Sequence, residues 1–296
     1  MISSNIGFDV NSGGTKLFIV QLVFLLVAWI ISLLRVYVKL FMIRKVSPDD
    51  YWMLTALLFY TGYGAIVLHG IALGGTGKHT KELTLDGAEI SLRAWYLCEV
   101  LYAPMSACIR TSIAVFLLRL SVKTWHRWTI YVVLVITWLV SVGFFVPMVI
   151  QCFPPSYFWK QVKGAEGTCM NPVVVPLTAV VHGVISSICD WILGLFPIVL
   201  LWNVQINRCT KFGIAALLSM GIIAGIALIA RIPFIKTLAI SVDFLYETVN
   251  VAMWSVPEPG LGIIAGNIAT LRPLAKSLGF EMVEAEVETY DGRETK

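Results

Sequence analysis

The chain has 296 residues, of which 58% are hydrophobic and only 14% charged, and its mean hydropathy is +0.82. A soluble domain carries about 25% charged residues, so this composition excludes an ordinary water-soluble enzyme and fits a chain whose solvent is lipid. The formal net charge of +4 is too small to mark a nucleic-acid surface, and the basic residues read as membrane anchors and topology signals.

The first apolar run follows a short polar arm, lacks a basic lead beyond Lys16, and continues too long for a secretory signal. It is expected to remain as a transmembrane helix. In chain order, seven runs occupy 17–41, 51–74, 92–118, 128–150, 172–203, 211–235 and 247–271. Each reaches the roughly 20 residues needed to cross a hydrocarbon core. Short polar segments separate them, such as Ser47-Pro48-Asp49-Asp50 and Gly74-Gly75-Thr76-Gly77. Trp52, Trp95, Trp125, Trp128 and Trp202 fall near predicted ends, where indole rings favour the headgroup region. The expectation is an all-α, polytopic seven-transmembrane-helix bundle. Residues 1–16 would form an extracytosolic arm, 17–274 the membrane domain and 275–296 a disordered, acidic cytosolic tail.

Basic residues set the predicted orientation. Arg35, Lys39, Arg44, Lys45, Arg119, Lys123, Arg127, Arg208, Lys211, Arg272 and Lys276 follow helices one, three, five and seven. The opposite side holds fewer: Lys16, Lys78, Lys81, Arg93, Lys160, Lys163 and Lys236. This bias predicts the N-terminus out and the C-terminus in. Cys152 and Cys169 then bracket a loop on the oxidising side. A disulfide there would close about 18 residues and contribute roughly 3 kcal/mol; the alternative is two free loop thiols.

Ionisable residues at membrane depth carry the sharpest functional signal, since each costs several kcal/mol unless paired or hydrated. Glu99 and Arg110 lie in helix three, His182 and Asp190 in helix five, Arg231 in helix six and Glu258 in helix seven; His69 is near the end of helix two. A rise of ~1.5 Å per residue places Arg110 and Asp190 both ~27 Å below the outer ends, where they could form a structural ion pair. His182 and Glu258 share a depth of ~15 Å, and His69, Glu99 and Arg231 lie at ~6–10 Å. These five residues define a candidate ligand-binding cavity opening outward, floored by Glu258 and His182. Pro257 and Pro259 flank Glu258 and must break the helix-seven ladder there. The alternative is an interhelical hydrogen-bond network with no ligand.

Several familiar motifs are missing. Gly77-Lys78-His79 lacks the Ser/Thr of a phosphate-binding loop, and no H-E-x-x-H, C-x-x-C or G-x-S-x-G occurs, so neither a metal nor a cofactor is expected. Asp49-Asp50 has no further acidic residue to make a metal–diphosphate motif and is expected to pair with Arg35, Lys39, Arg44 or Lys45. Residues 247–271 contain no lysine, which excludes a retinal Schiff base on helix seven. Helix three ends Leu118-Arg119-Leu120, without an acidic-Arg-Tyr motif, and helix seven lacks Asn-Pro-x-x-Tyr.

Other pieces point to a family. They are Asp49-Asp50-Tyr51-Trp52, Gly75-Thr76-Gly77-Lys78-His79, Tyr102, and Arg110-Thr111-Ser112 through Arg119-Leu120. Further along come Gln151-Cys152-Phe153-Pro154 with Trp159, Gly167 and Cys169, then Asp190 with Pro197 to Trp202, Arg231, and Trp254 through Glu258 to Leu271-Arg272-Pro273-Leu274. In this order and spacing the chain resembles the fungal rhodopsin-like domain family, which includes satratoxin-cluster membrane proteins and Pth-type receptor-like proteins. Arg110 stands where that family commonly has Lys, which preserves the charge. The cysteine-rich N-terminal domain and long cytoplasmic tail common in Pth-type proteins are lacking.

Three functions follow as expectations. The resemblance implies a non-photoactive, multi-pass membrane protein serving secondary-metabolite biosynthesis, in the plasma membrane or an endomembrane, that handles a small apolar metabolite. A receptor or sensor is the second. The third is a membrane-embedded cyclase or isomerase with Glu258 as general acid and His182 as its base partner. The bilayer is the one partner the composition itself requires.

Overall fold

The computed structural model describes residues 13–78, 83–121, 123–200 and 244–271. Among them, helix α1 spans Gly13–Tyr37 and runs into a wider π-helical segment, Val38–Ile43. Helix α2 spans Pro48–His69 and likewise ends in a π-helical turn, Gly70–Gly74. Helix α3 covers Leu85–Leu120 and α4 Thr124–Ile150, followed by strand β1 (Cys152–Phe153), the short helix α5 (Tyr157–Lys160), a 3-10 turn and strand β2 (Thr168–Cys169). Helix α6 covers Val174–Leu200, α7 Phe244–Ser255 and α8 Pro257–Ile268. Among the described residues, five helical stretches are long and apolar enough to cross a membrane: Gly13–Ile43, Pro48–Gly74, Leu85–Leu120, Thr124–Ile150 and Val174–Ile198. The predicted sixth span, 211–235, with Arg231, lies outside the described residues.

Local chemistry explains the boundaries. Helix α2 begins three residues before its predicted start because Ser47-Pro48-Asp49-Asp50 is a helix entry rather than a separator. Ser47 and Asp50 form a capping box and Pro48 takes the first turn, where its missing N–H costs nothing. Helix α3 starts seven residues earlier than predicted, capped by the Thr84 hydroxyl, which accepts from the Gly87 amide at 3.1 Å. At 36 residues it is roughly 54 Å long and overshoots a hydrocarbon core of about 30 Å.

That overshoot gives the Cys152–Cys169 loop something to dock on. The two cysteines are disulfide-bonded and face each other in the antiparallel β1–β2 pair. The loop's Lys163 reaches Asp86 at 2.6 Å and Glu89 at 2.5 Å on α3, and these hydrogen bonds hold the Lys163 ammonium above the usual lysine range. The Tyr96 ring packs against Phe158 and Trp159.

Helix α3 is the axis of the bundle, packing on α2, α4, α6, α7, α8 and the docked loop. Its buried face includes the small residues Ala103, Ser106, Ala107, Ser112 and Ala114 among larger ones such as Met105, Ile109 and Leu117, and small residues let helices approach closely in lipid. The outward faces of α1 and α4, by contrast, expose Ile19, Val23, Leu26, Ile30, Val135, Leu139 and Val142. An apolar exterior around a partly polar core is the inverse of a soluble bundle and is what lipid selects. Tight backbone contact fixes one loop: Gly77 has φ +95° and a Cβ there would come 2.7 Å from the Gly14 nitrogen.

The predicted helix seven is two helices joined at Val256, with Pro257 in the first turn of the second. Val256 keeps helical angles, so the interruption comes from the N–H groups that Pro257 and Pro259 lack, not from a turn. The Val256 carbonyl accepts a hydrogen bond from the Tyr60 hydroxyl at 3.4 Å.

Candidate functional site: a buried charge network beneath a cavity

The network starts on α3. Arg110 is buried and grips Asp190 of α6 with two parallel bonds, Nε to Oδ1 at 2.8 Å and Nη2 to Oδ2 at 2.9 Å. Such a fork-to-fork pair is the strongest arrangement available to these groups. A third N–H of Arg110 donates to Ser106 Oγ, one turn toward the helix N-terminus.

That backward reach has a consequence the helical-rise estimate misses. By rise alone, Arg110 and Glu258 differ in depth by about 12 Å. In the structure Arg110 Nη2 lies 3.7 Å from Glu258 Oε1. Helical side chains lean toward the N-terminus, so the long Arg110 arm spans the difference. Glu258 Oε2 accepts from the Tyr102 hydroxyl at 2.7 Å. Tyr102 in turn meets the His182 ring edge-on, with centroids 5.9 Å apart, and His182 also packs on Phe144 at 4.8 Å. Asp190, Arg110, Glu258, Tyr102 and His182 are therefore one connected cluster across α3, α6 and α8.

A cavity of about 80 Å³ sits beside it, toward the end of the bundle that carries the disulfide loop. Its walls are mostly apolar, including Leu17, Val67, Ile71, Ala179, Val251 and Ala252, with Thr76, Ser91, Glu99, Thr248 and Ser255 as polar points. Apolar walls with few convergent polar groups are the lining chemistry of small-molecule sites. Tyr102 belongs to both parts: its ring lines the cavity and its hydroxyl binds Glu258. Of the residues expected to line an outward cavity, Glu99 does so, while His69 is exposed at the end of α2 and off the wall. His182 and Glu258 are off the wall too; Glu258 reaches it through Tyr102, and His182 through Phe144 and Tyr102.

The other end of the bundle holds a second ionic junction. Asp49 is fully buried and receives Arg35 at 2.7 Å, Arg119 at 2.8 Å and Lys39 at 3.7 Å. Asp50 receives Arg35 at 2.8 Å and Lys39 at 3.2 Å. Arg35 also donates to the Gly266 carbonyl and to Asn267 Oδ1, and Asn267 donates to Ser32 Oγ at 2.8 Å. Four helices, α1, α2, α3 and α8, are tied there. Arg35 and Lys39 are the expected partners; Arg44 and Lys45 are not among them. Arg119 and Asn267 are additions that pattern reading missed.

Tyr102 was also absent from the candidate site residues. A signal existed: Tyr102, Ser106 and Arg110 recur every fourth residue, a polar stripe on one face of an otherwise apolar helix. Among the described residues no group of three His, Cys, Asp or Glu side chains is placed to hold a metal.

Several apolar membrane-length helices around a core of paired charges define a multi-pass integral membrane protein. The chain belongs to the fungal rhodopsin domain family, whose profile matches residues 34–277. It is similar to the "Polyenoic acids biosynthesis gene cluster protein Ba17b" of Metarhizium anisopliae, at 22% identity over 277 residues, covering 84% of this chain and 71% of that protein. It is also similar to a "SAT4 family membrane protein" of Emericella nidulans, at 24% identity over 162 residues, covering 53% of this chain and 41% of the relative. No solved structure matches the chain.

Proposed function

We propose that this protein is a non-photoactive, seven-helix membrane component of secondary-metabolite biosynthesis that holds or passes on a small apolar intermediate. The observation that carries the reading is the cavity, with its apolar walls and its hydrogen-bonded aromatic link, Tyr102, to the buried charges. The name of the Metarhizium relative, which places that protein in a polyenoic acid biosynthesis cluster, supports the setting. Seven spans are reached by adding 211–235 and the broken helix 244–268 to the five membrane-length helices. An N-out, C-in orientation is supported by the disulfide at one end of α3 and the basic residues Arg35, Lys39, Arg44, Lys45 and Arg119 at the other.

The acid–base alternative has less support. Both Glu258 oxygens already engage, one with Tyr102 and one with Arg110. A sensor reading has one observation in its favour, since Tyr102 couples the cavity to a charge network that spans three helices. Deleting the gene and profiling metabolites separates these readings. Uniform loss of an end product supports an accessory role. Accumulation of one convertible intermediate would indicate an enzyme, and an unchanged profile with an agonist-dependent signal would indicate a receptor.

A further inference from the structure

A second cavity, of about 170 Å³, lies between α1 and α2 at the end of the bundle that carries the Asp49 junction. Its surroundings differ in kind from those of the first cavity. Val36, Leu40, Val46 and Leu54 line it and are themselves exposed on the outer surface of the bundle. The crevice therefore runs from the lipid-facing side of the bundle inward to the buried Met53, Leu57 and Asn267. Lys39, Arg35 and Asp50 also line it.

Charge in the adjoining Asp49 junction is unbalanced. Arg35, Lys39 and Arg119 outnumber their carboxylate partners Asp49 and Asp50. Arg44 and Lys45 add two more positive groups on the short connection between Leu40 and Val46, both of which are crevice residues. Arg44 and Lys45 are exposed and form no salt bridge among the described residues. A π-helical segment, Val38–Ile43, and the left-handed backbone of Arg44 (φ 53°) bring the chain around to α2 here. An apolar slot with exposed cations beside it, none of them paired by a described carboxylate, matches one kind of molecule: an amphiphile with an anionic head and a hydrocarbon chain.

We propose that the α1–α2 crevice is a binding site for an anionic phospholipid. One acyl chain lies against Val36, Leu40 and Leu54, and the phosphate is held by Arg44 and Lys45. The site is independent of the upper cavity and of its proposed role, so either can fail alone.

The test is native mass spectrometry of the delipidated, detergent-purified full chain titrated with dioleoyl phosphatidylserine or dioleoyl phosphatidylcholine, with soluble glycerophosphoserine as competitor. Phosphatidylserine adducts should persist at activation energies that strip phosphatidylcholine, and glycerophosphoserine should not displace them. Arg44→Asn with Lys45→Gln should weaken retention by about fivefold for each charge removed; Asn tolerates the left-handed backbone at position 44. Leu54→Trp, which fills the slot from an exposed face, should reduce retention while leaving the charges intact. Equal retention of the two lipids, or no change in both variants, would overturn the proposal. Displacement by glycerophosphoserine would also overturn it, because it would show an anion site without an acyl-chain crevice.

Discussion

Tyr102 Oη stands 2.7 Å from Glu258 Oε2, so one side chain on α3 both walls the cavity and completes the coordination of a carboxylate on α8. Tyr102→Phe keeps the wall and deletes the bond. Removing one partner of a buried hydrogen bond to a charged group costs about 1–3 kcal/mol. The variant should lose that much stability in detergent thermal unfolding while retaining cavity volume. If the cavity binds its ligand by shape alone, ligand retention should change little; a large drop would assign the hydroxyl to recognition.

The Arg110–Asp190 fork predicts a strongly non-additive pair. Asp190→Leu alone leaves the buried guanidinium with Ser106 and the more distant Glu258, and should cost about 3–5 kcal/mol. Arg110→Met alone should cost as much. The double variant Arg110→Met with Asp190→Leu should recover most of the loss, measured as a double-mutant cycle on thermal stability. Additive losses would mean that the two residues act separately.

Asp49 and Asp50 are neighbours in sequence but not in burial. Asp49 is fully enclosed by three cations on α1, its π-helical extension and α3, whereas Asp50 shares its carboxylate with the cap of α2. Asp49→Asn should therefore destabilise by about 3 kcal/mol or more, and Asp50→Asn by about 1–2 kcal/mol through the lost cap and ion pair. The ranking is read from unfolding midpoints, and a reversed order would contradict the assignment of Asp49 as the hub.

Cys152→Ser with Cys169→Ser opens a loop closed across 17 residues. The loss should be roughly 3 kcal/mol by the chain-entropy argument. Lys163 and the Tyr96–Phe158–Trp159 contacts should still hold the loop to α3, so limited proteolysis should cut the variant only slowly. Adding Lys163→Ala should make cleavage rapid.

The membrane helices were legible because lipid demands long apolar runs, which composition cannot disguise. Their boundaries were less so. Leu85-Asp86-Gly87 reads as a polar separator until Thr84 is seen to cap it, and Ser47-Pro48 reads as a loop until Ser47 is seen as a cap. Depth by helical rise brought Arg110 level with Asp190, because both lie on helices taken to run in the same direction from similar starts. It held Arg110 and Glu258 apart, since rise locates Cα atoms and ignores the direction of a long side chain. Asn267 was hidden for another reason. A lone amide in an apolar run carries no sign of its partners, and its link from Arg35 to Ser32 exists only once α8 is packed on α1.

The Tyr102-lined cavity is proposed to hold an apolar intermediate. Ala252 lines that cavity on α7, and Ala252→Phe would fill it without touching Arg110, Asp190 or Glu258. The direct measurement is metabolite profiling of the deletion strain complemented with wild-type or Ala252→Phe protein at matched membrane levels. The wild type should restore the lost product, and Ala252→Phe should leave it as low as in the deletion. Full restoration by Ala252→Phe would contradict the proposal.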